Sequence, residues 1–529
     1  MLGIWRTHAE YLNFAENALN VITASNPQIV KNFELTILKM LSLNLDIVKT
    51  DFAQRFSYTG RPSNHQPEIF RAFVLMADQK YADIDKWCIT GAASPLYCAL
   101  VGVTSQDFPK SSTMRDFISR LWLGGKLDHI KTFVNKPREK YGKEKKPPKN
   151  PGIIQELANK ALAGETFDKL PEALLQRVFA KVAVLPSINM GLIEQPEKLT
   201  VSGDGTCVQS HAFPNGHKVN INPNSAEANA VPESNNKADG ESYAAVHEGI
   251  NKADGESSAV PNDRQADGET KRRFADPLAR RLWDSHHERY FFGYMAYFIS
   301  TYNKALKLDL PLYCRFAETS SYDGVTFIEA LSHFRFLYDG VMDINRIIAD
   351  CAHDNIATYK LLAAWRISPF IALKPSNSLD GQYRKLQLAN DGTPICADGY
   401  KMVNWGFDKR RYRIKYRCPL MTGKVKYCPY ANNCNKTKYG KTVYVRLADN
   451  PRFLTPVPRD SDEWNEVYRQ RTATERINNR ILTDYQPEHP KRYGKKKLAF
   501  FTFINAINIH LDAQVKHGRQ SAEFGKIIR

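Results

Sequence analysis

The chain has 529 residues, 43% of them apolar and 25% charged, an ordinary globular balance with room for two or three domains. Its 74 Lys and Arg against 56 Asp and Glu give a net charge of +18 at pH 7, an excess that points to a polyanionic partner. No run of ~18 apolar residues and no signal-peptide pattern is found. This argues against a membrane protein and for nucleic acid in the cytoplasm, with the nine cysteines as thiols or metal ligands rather than disulfides.

Residues 1–135 are expected to be helical. LKMLSLNLDIV (38–48) and PEIFRAFVLMADQ (67–79) carry helical apolar spacing. SSTMRDFISRLW (111–122) opens with Ser ahead of an amphipathic run, as a capped helix does. Arg71, Lys80, Arg115 and Arg120 are candidate phosphate contacts, although any small helical domain carries scattered basic residues. A basic, Pro-rich break, KPREKYGKEKKPPKNPG (136–152), begins a linker and helical connector that runs to 195 and includes PEALLQRVFAKVAVLP (171–186).

KLTVSGDGT (198–206) predicts a short strand that stops at Asp204 and presents its carboxylate at a sheet edge. Asp-Gly is also a common turn pair. Residues 229–270 hold three copies of a polar unit around ADGE. The unit is too short and too polar to stack as a solenoid, so it reads as a loosely ordered surface loop; calcium binding by its acids is the alternative.

Strands and helices then alternate. Aromatic strand-formers fill 276–302, a strand and loop cover 308–324, and VTFIEALSHFRFL (325–337) is a helix. INRIIADCAHD (344–354) is a strand ending at Asp350, 355–367 a helix and 368–375 a strand. Such alternation describes an α/β sheet. Asp323 either caps the helix beginning near Val325 or orders a nearby acidic site.

Residues 376–450 interrupt the alternation. Between 401 and 446 there are thirteen Lys or Arg and one acid, Asp408, interleaved with eight aromatics from Trp405 to Tyr444. This suits a surface that follows phosphates and stacks on bases, with Arg410, Arg411 and Arg413 as candidate DNA contacts. Cys396, Cys418, Cys428 and Cys434 in the same stretch could close a structural zinc site, against a reading as buried free thiols.

DSDEWNEVYRQRTATERINNRIL (460–482) has no Gly or Pro. Ala473, Ile477 and Ile481 form an apolar stripe, and Tyr468, Arg471, Glu475 and Leu482 are expected to share another face. Arg471 and Glu475 are either a surface ion pair or a phosphate contact beside a metal ligand. In the last helix Phe500, Ile504, Ile507 and Leu511 make one apolar face to pack on the sheet. Lys491, Arg492 and Lys495 to Lys497 are expected to face nucleic acid.

Three acids, Asp204, Asp350 and Glu475, thus stand at strand ends and on a later helix. Pressed together they repel unless cations neutralise them. Hard oxygen ligands select magnesium or manganese, and two such ions can drive phosphodiester cleavage.

With these residues in place, the chain resembles bacterial insertion-sequence transposases of the DDE type. The resemblance runs from PEIFRAFVLMADQ and SGDGT through LPLYCRFAETSSYDG, IIADCAHD and CPLMTGKVKYCPYANNC to YRQRTATERINNRIL. It implies a ribonuclease H-like mixed sheet, with Asp204, Asp350 and Glu475 as the catalytic acids holding two magnesium or manganese ions. The family signature is Tyr, two residues, Arg, three residues, Glu, six residues, Lys. Tyr468, Arg471 and Glu475 fit it, while Leu482 stands where the Lys belongs, so Arg480 or Lys491 is the candidate substitute.

The implied organisation has a helical DNA-binding or dimerisation domain (1–135), the connector (136–195), a catalytic domain (196–375 and 451–529) and the basic insertion (376–450). The implied activity is cleavage at the terminal inverted repeats of an insertion sequence and strand transfer into target DNA. A homodimer on double-stranded DNA would carry it out at the bacterial nucleoid, with no membrane involved. A decayed transposase that only binds DNA, or a ribonuclease H-like nuclease, are the competing readings.

Overall fold

The computed structural model describes residues 1–133, 152–219, 270–284, 288–318, 323–373, 387–389, 393–434, 437–446, 451–452, 455–459, 461–485 and 492–518. Nearly all of the basic linker, nearly all of the tandem repeat, and Lys491 lie outside the described residues.

The class is mixed α/β. The N-terminal region is helical, with α1 (His8–Ser25), α2 (Glu34–Ser42), α3 (Gln66–Asp78) and α4 (Ser111–Leu121) among its elements. Helix α1 is fixed at its start by a capping box between Thr7 and Glu10. Helix α4 differs from the expected pattern. Lys110 holds its cap position without a side-chain bond, and Ser111 instead bonds Asp85. The connector contributes α5 (Ile153–Leu162) and α6 (Ala173–Phe179), the latter continued by a turn of π-helix.

The main sheet begins with β1 (Leu199–Gln209), β2 (Arg280–Asp284), β3 (Arg289–Asn303) and β4 (Leu308–Glu318). Helix α7 (Asp323–Leu337), β5 (Ile344–Ala349), α8 (Ile356–Ala364) and β6 (Ser368–Ile371) follow. Strand β1 pairs antiparallel with β3, from Val201 opposite Thr301 to Gln209 opposite Gly293. Strand β4 lies antiparallel to β3, and β2 pairs with the start of β3. On its other side β1 runs parallel to β5, which runs parallel to β6. Four antiparallel strands, with β2 and β4 both pairing β3, are thus joined through β1 to two parallel ones. The aromatic and β-branched residues of β3 suit its central place.

The insertion forms a second, antiparallel sheet of β7 (Val403–Asp408), β8 (Arg413–Arg417) and β9 (Thr442–Arg446). The chain then returns through α9 (Asp462–Tyr468), a single 3-10 turn (Arg469–Arg471) and α10 (Thr472–Asn479), which continues as a π-turn (Arg480–Asp484). The final helix is α11 (Lys495–Gly518).

Helix α11 was expected to bury one face. It is buried on nearly every side, from Leu498 to Val515, as a helix enclosed by its neighbours must be. It packs against α2, α3 and α4 on one side and β4 on another. Phe500 meets Phe73 of α3 edge to face at 4.6 Å, and the Asn508 amide donates to Val74 O at 3.1 Å. His510, on the same helix, bonds Ser187 and the Pro311 carbonyl at 2.8 and 2.7 Å. One continuous core therefore runs from Trp5 to Ala513.

This packing corrects two expectations about charge. Arg492 is buried, stacks over Phe501 at 3.5 Å and donates to Tyr81 O. Lys495 is buried too. Arg71 is buried over the Tyr11 ring at 3.5 Å. Long basic side chains can cover apolar surface with their stems and stack on aromatic rings, so none of these three faces a phosphate. Among the described residues, no helix is long and apolar enough to cross a membrane.

Candidate functional site

The centre of the main sheet gathers the acids. Asp204 does not end its strand as expected: β1 continues to Gln209 because β3 keeps pairing with it. Pairing with β5, however, stops at Ser202 opposite Ile348. Asp204 therefore lies just past the point where the parallel neighbour runs out, and Asp350 is the first residue after that neighbour's end. The split between β1 and β5, rather than a strand terminus, brings the two acids together.

Residues alternate between faces along β1. Ser202 bonds the Thr474 hydroxyl of α10, so alternation puts Asp204 on that same face, beside the helix that carries Glu475. Gly203 and Gly205 look the other way. A Cβ on Gly203 would collide with the Tyr297 hydroxyl, and one on Gly205 would stand 2.9 Å from Asp323 Oδ1. The two glycines flanking Asp204 are thus strand residues that admit Tyr297 and Asp323, not a turn. Asp323 opens α7 with its carboxylate turned toward this cluster.

The electrostatics follow from this crowding. Burial, then Asp350, then Asp323 push the Asp204 carboxyl up from 3.8 to about 7, against the opposing pull of His353 and the Gly205 N–H. Burial also raises Asp323, with His353 opposing and Asp350 adding to the rise. Burial works against ionised Asp350 as well, but the His353 bond, the Ala352 N–H and Arg471 outweigh it and hold Asp350 below its ordinary value.

Tyr297 and His353 escaped sequence reasoning. His353 is fully buried, with Nδ1 2.6 Å from Asp350 Oδ1 and Nε2 2.9 Å from the Tyr297 hydroxyl. An ionised carboxylate only accepts, so Nδ1–H donates to Asp350, while Nε2 and the Tyr297 hydroxyl share the second hydrogen bond. The Ala352 N–H also falls on Asp350 Oδ1, at 3.0 Å. The Asp350-x-x-His353 spacing was a legible signal; Tyr297 depends on its register opposite Gly205 and was not.

Glu475 lies on α10 and pairs with Arg471 at 2.9 Å. Tyr468 stacks on Trp464 at 4.4 Å. Its hydroxyl is raised mainly by burial, within the field of Arg471, Asp350 and Glu475. Ala473, Ile477 and Ile481 are buried as the stripe predicted. Leu482 packs partly buried against the main core, in the π-turn that follows Asn479. Arg480 pairs with Asp484 and Asp512, each at 3.3 Å.

Asp354 forms a two-pronged pair with Arg452, with Nε 2.7 Å from Oδ1. This ties the chain's return from the insertion to the end of β5.

On the insertion, Arg410 and Arg411 are exposed in the β7–β8 turn. Arg413 pairs with Asp408 at 3.1 Å and lies 4.1 Å over Tyr444. Arg417 is buried between Trp405 and Tyr439. Trp405, Tyr427, Tyr430, Tyr439 and Tyr444 expose much of their rings. Cys396, Cys418, Cys428 and Cys434 line one cavity.

As these side chains are placed, no three His, Cys, Asp or Glu among the described residues form a group that could hold one ion. The Asp204 and Asp350 pair still has the chemistry for a hard cation: only oxygen donors, and a mutual repulsion that a positive ion would relieve. Compared with known proteins, the chain matches no family model and no curated protein.

Proposed function

We propose that this chain is a DDE-type insertion-sequence transposase with a ribonuclease H-like catalytic domain. It would cut DNA at the ends of a mobile element and join those ends to target DNA. The observation that carries this reading is the meeting of Asp204 and Asp350 across adjacent parallel strands, with the Asp204 carboxyl pushed up to about 7 by burial and neighbouring acids. Two further features support it. Four antiparallel strands are joined to two parallel ones, and α10, the helix that carries Glu475, packs through Thr474 on the face of β1 that carries Asp204.

The residues fit magnesium or manganese at Asp204 and Asp350, completed by Glu475. Bound there, two ions would supply Lewis-acid activation of a water or a 3′-hydroxyl. The protein's own groups orient the rest. Arg471, once released by Glu475, holds a phosphate beside the cut, and Tyr468 presents its hydroxyl next to it. Arg410 and Arg411 carry the flanking duplex, and pairing two DNA ends calls for two copies of the chain. His353 is a positioning residue that fixes which oxygen Asp350 offers. In His353→Phe, which keeps a ring and loses both bonds, manganese binding read by calorimetry is expected to weaken ~10–100-fold.

The test is cleavage of a duplex carrying the element's own terminal sequence, with magnesium or manganese, by the wild type and by Glu475→Gln. The expected result is nicking by the wild type and a loss of at least ~100-fold in the variant, since a missing ligand charge costs several kcal/mol at the transition state. A second reading, a remnant that binds DNA without cutting it, draws on Glu475 being held by Arg471 and on Leu482 lying against the core. Tight binding by both proteins with no nicking by either would select it.

A further inference from the structure

We infer that the basic insertion is held together by a structural zinc ion bound to Cys396, Cys418, Cys428 and Cys434. The inference does not depend on the Asp204 site.

Among the described residues the insertion has a small core of its own: Met402, Ile414, Tyr416 and Val445 are buried, with Leu388, Cys396, Phe407 and Val443 packed partly buried against them. In modules below ~70–80 residues a single core is marginal, and a metal or disulfides commonly make up the deficit. A staple is therefore expected on grounds unrelated to cysteine spacing.

The thiols are where a staple belongs. All four line one cavity beyond the ends of β7, β8 and β9, although they come from separate turns. Cys396 opens a tight turn in which its N–H bonds Tyr400 O at 2.9 Å and the Gly399 N–H bonds Cys396 O at 3.0 Å. Cys418 opens the turn after β8, where the Thr422 N–H bonds Cys418 O at 3.2 Å. Cys428 and Cys434 bracket a turn and a short helix, through Ala431 N–H to Cys428 O at 3.1 Å and Cys434 N–H to Tyr430 O at 2.9 Å. Gly440 closes the wall behind Cys418: its φ is 65°, and a Cβ there would stand 2.6 Å from Cys418 Cβ.

The chemistry selects the ion. Four sulfur donors suit zinc in a closed tetrahedral site. Four thiolates around a divalent ion leave a net charge of −2, which the thirteen basic residues of 401–446 offset. The Cys428 thiol lies 3.5 Å from Asp398 Oδ2, so it trades that carboxylate for the cation. The sulfurs do not yet converge on one point as placed; binding would draw them together and so fix the turns that carry Lys424, Lys426, Tyr427 and Tyr430.

The experiment uses the full chain. Purified without chelator, the wild type is expected to hold about one zinc ion per chain by atomic emission. Replacement by cobalt is expected to give thiolate-to-cobalt charge-transfer bands. Cys418→Ser and Cys428→Ser should each lower zinc content at least ~10-fold, while Cys88→Ser, in the N-terminal helices, keeps it. Zinc well under one per chain after reconstitution, no thiolate bands, or full zinc in the Cys418 and Cys428 variants would each overturn the inference. So would a disulfide among the four in freshly purified protein. The wild-type cobalt spectrum decides the matter even if a variant fails to fold.

Discussion

Asp204→Asn is expected to abolish cleavage and, in metal-free protein, to raise thermal stability. If the proposed function holds, the loss of activity should reach at least ~1,000-fold, because a divalent ion held there would supply several kcal/mol of charge stabilisation and each 1.36 kcal/mol is tenfold. The gain in stability comes from the same crowding. In the folded chain this carboxyl stays protonated up to about pH 7, whereas its ordinary value is 3.8. An acid raised on folding makes folding less favourable as pH rises, since the unfolded chain releases its proton first.

The penalty is thus small near pH 4, grows between pH 4 and 7, and is constant above. A difference of this size corresponds to on the order of 4 kcal/mol, of which relaxation around Asp323 and Asp350 would recover part. A rise of a few degrees in Tm at pH 8, shrinking toward pH 4, is the expected result by scanning calorimetry. Magnesium should raise the Tm of the wild type and leave the variant unchanged. Equal Tm values at pH 8, or equal responses to magnesium, would remove the case for a charged cluster at this site.

Phe500→Ala is expected to cost ~3–5 kcal/mol, the range for emptying an aromatic site in a closed core. Phe500 is fully buried and touches Phe73, Phe117 and Phe501. Such a loss takes a large share of the ~5–15 kcal/mol that typically holds a protein folded. Because the core is continuous from Trp5 to Ala513, the N-terminal helices and the sheet should lose structure together. In urea, circular dichroism and tryptophan fluorescence should shift to a lower midpoint in step. A variant in which the helical signal persists after the sheet has melted would show that residues 1–133 hold a core of their own.

Much of the sheet was legible because its strands and helices alternate with clear periodicity. Ile344–Ala349 stops at Asp350, and Asp323–Leu337 covers the expected helix. Ala473, Ile477 and Ile481 are buried as spaced. What failed depended on partners distant in sequence. Asp204 was expected at a strand end because the extended run KLTVSGD breaks at Gly205, with a turn as the competing reading, but pairing with β3 carries the strand on to Gln209.

Charge misled in a similar way. Arg71, Arg492 and Lys495 lie in basic or amphipathic stretches, but aromatic rings and neighbouring helices cover them. The 3-10 turn at Arg469–Arg471 and the π-turn at Arg480–Asp484 break the stretch expected to be one helix, which apolar spacing does not reveal. Tyr297 reaches His353 only through strand register. The four cysteines were visible, but their common cavity was not, since turns far apart in sequence build it.

The central place of α11 has a consequence for how the protein comes into being. It is the last described helix to leave the ribosome, yet α2, α3, α4 and β4 close around it. Until α11 has been made, the faces that pack on it here lack that partner. Contacts this far apart in sequence form late, and apolar surface exposed in the meantime favours aggregation. A ribosome that stalls before α11 releases a polypeptide bound for aggregation or proteolysis rather than a smaller working protein.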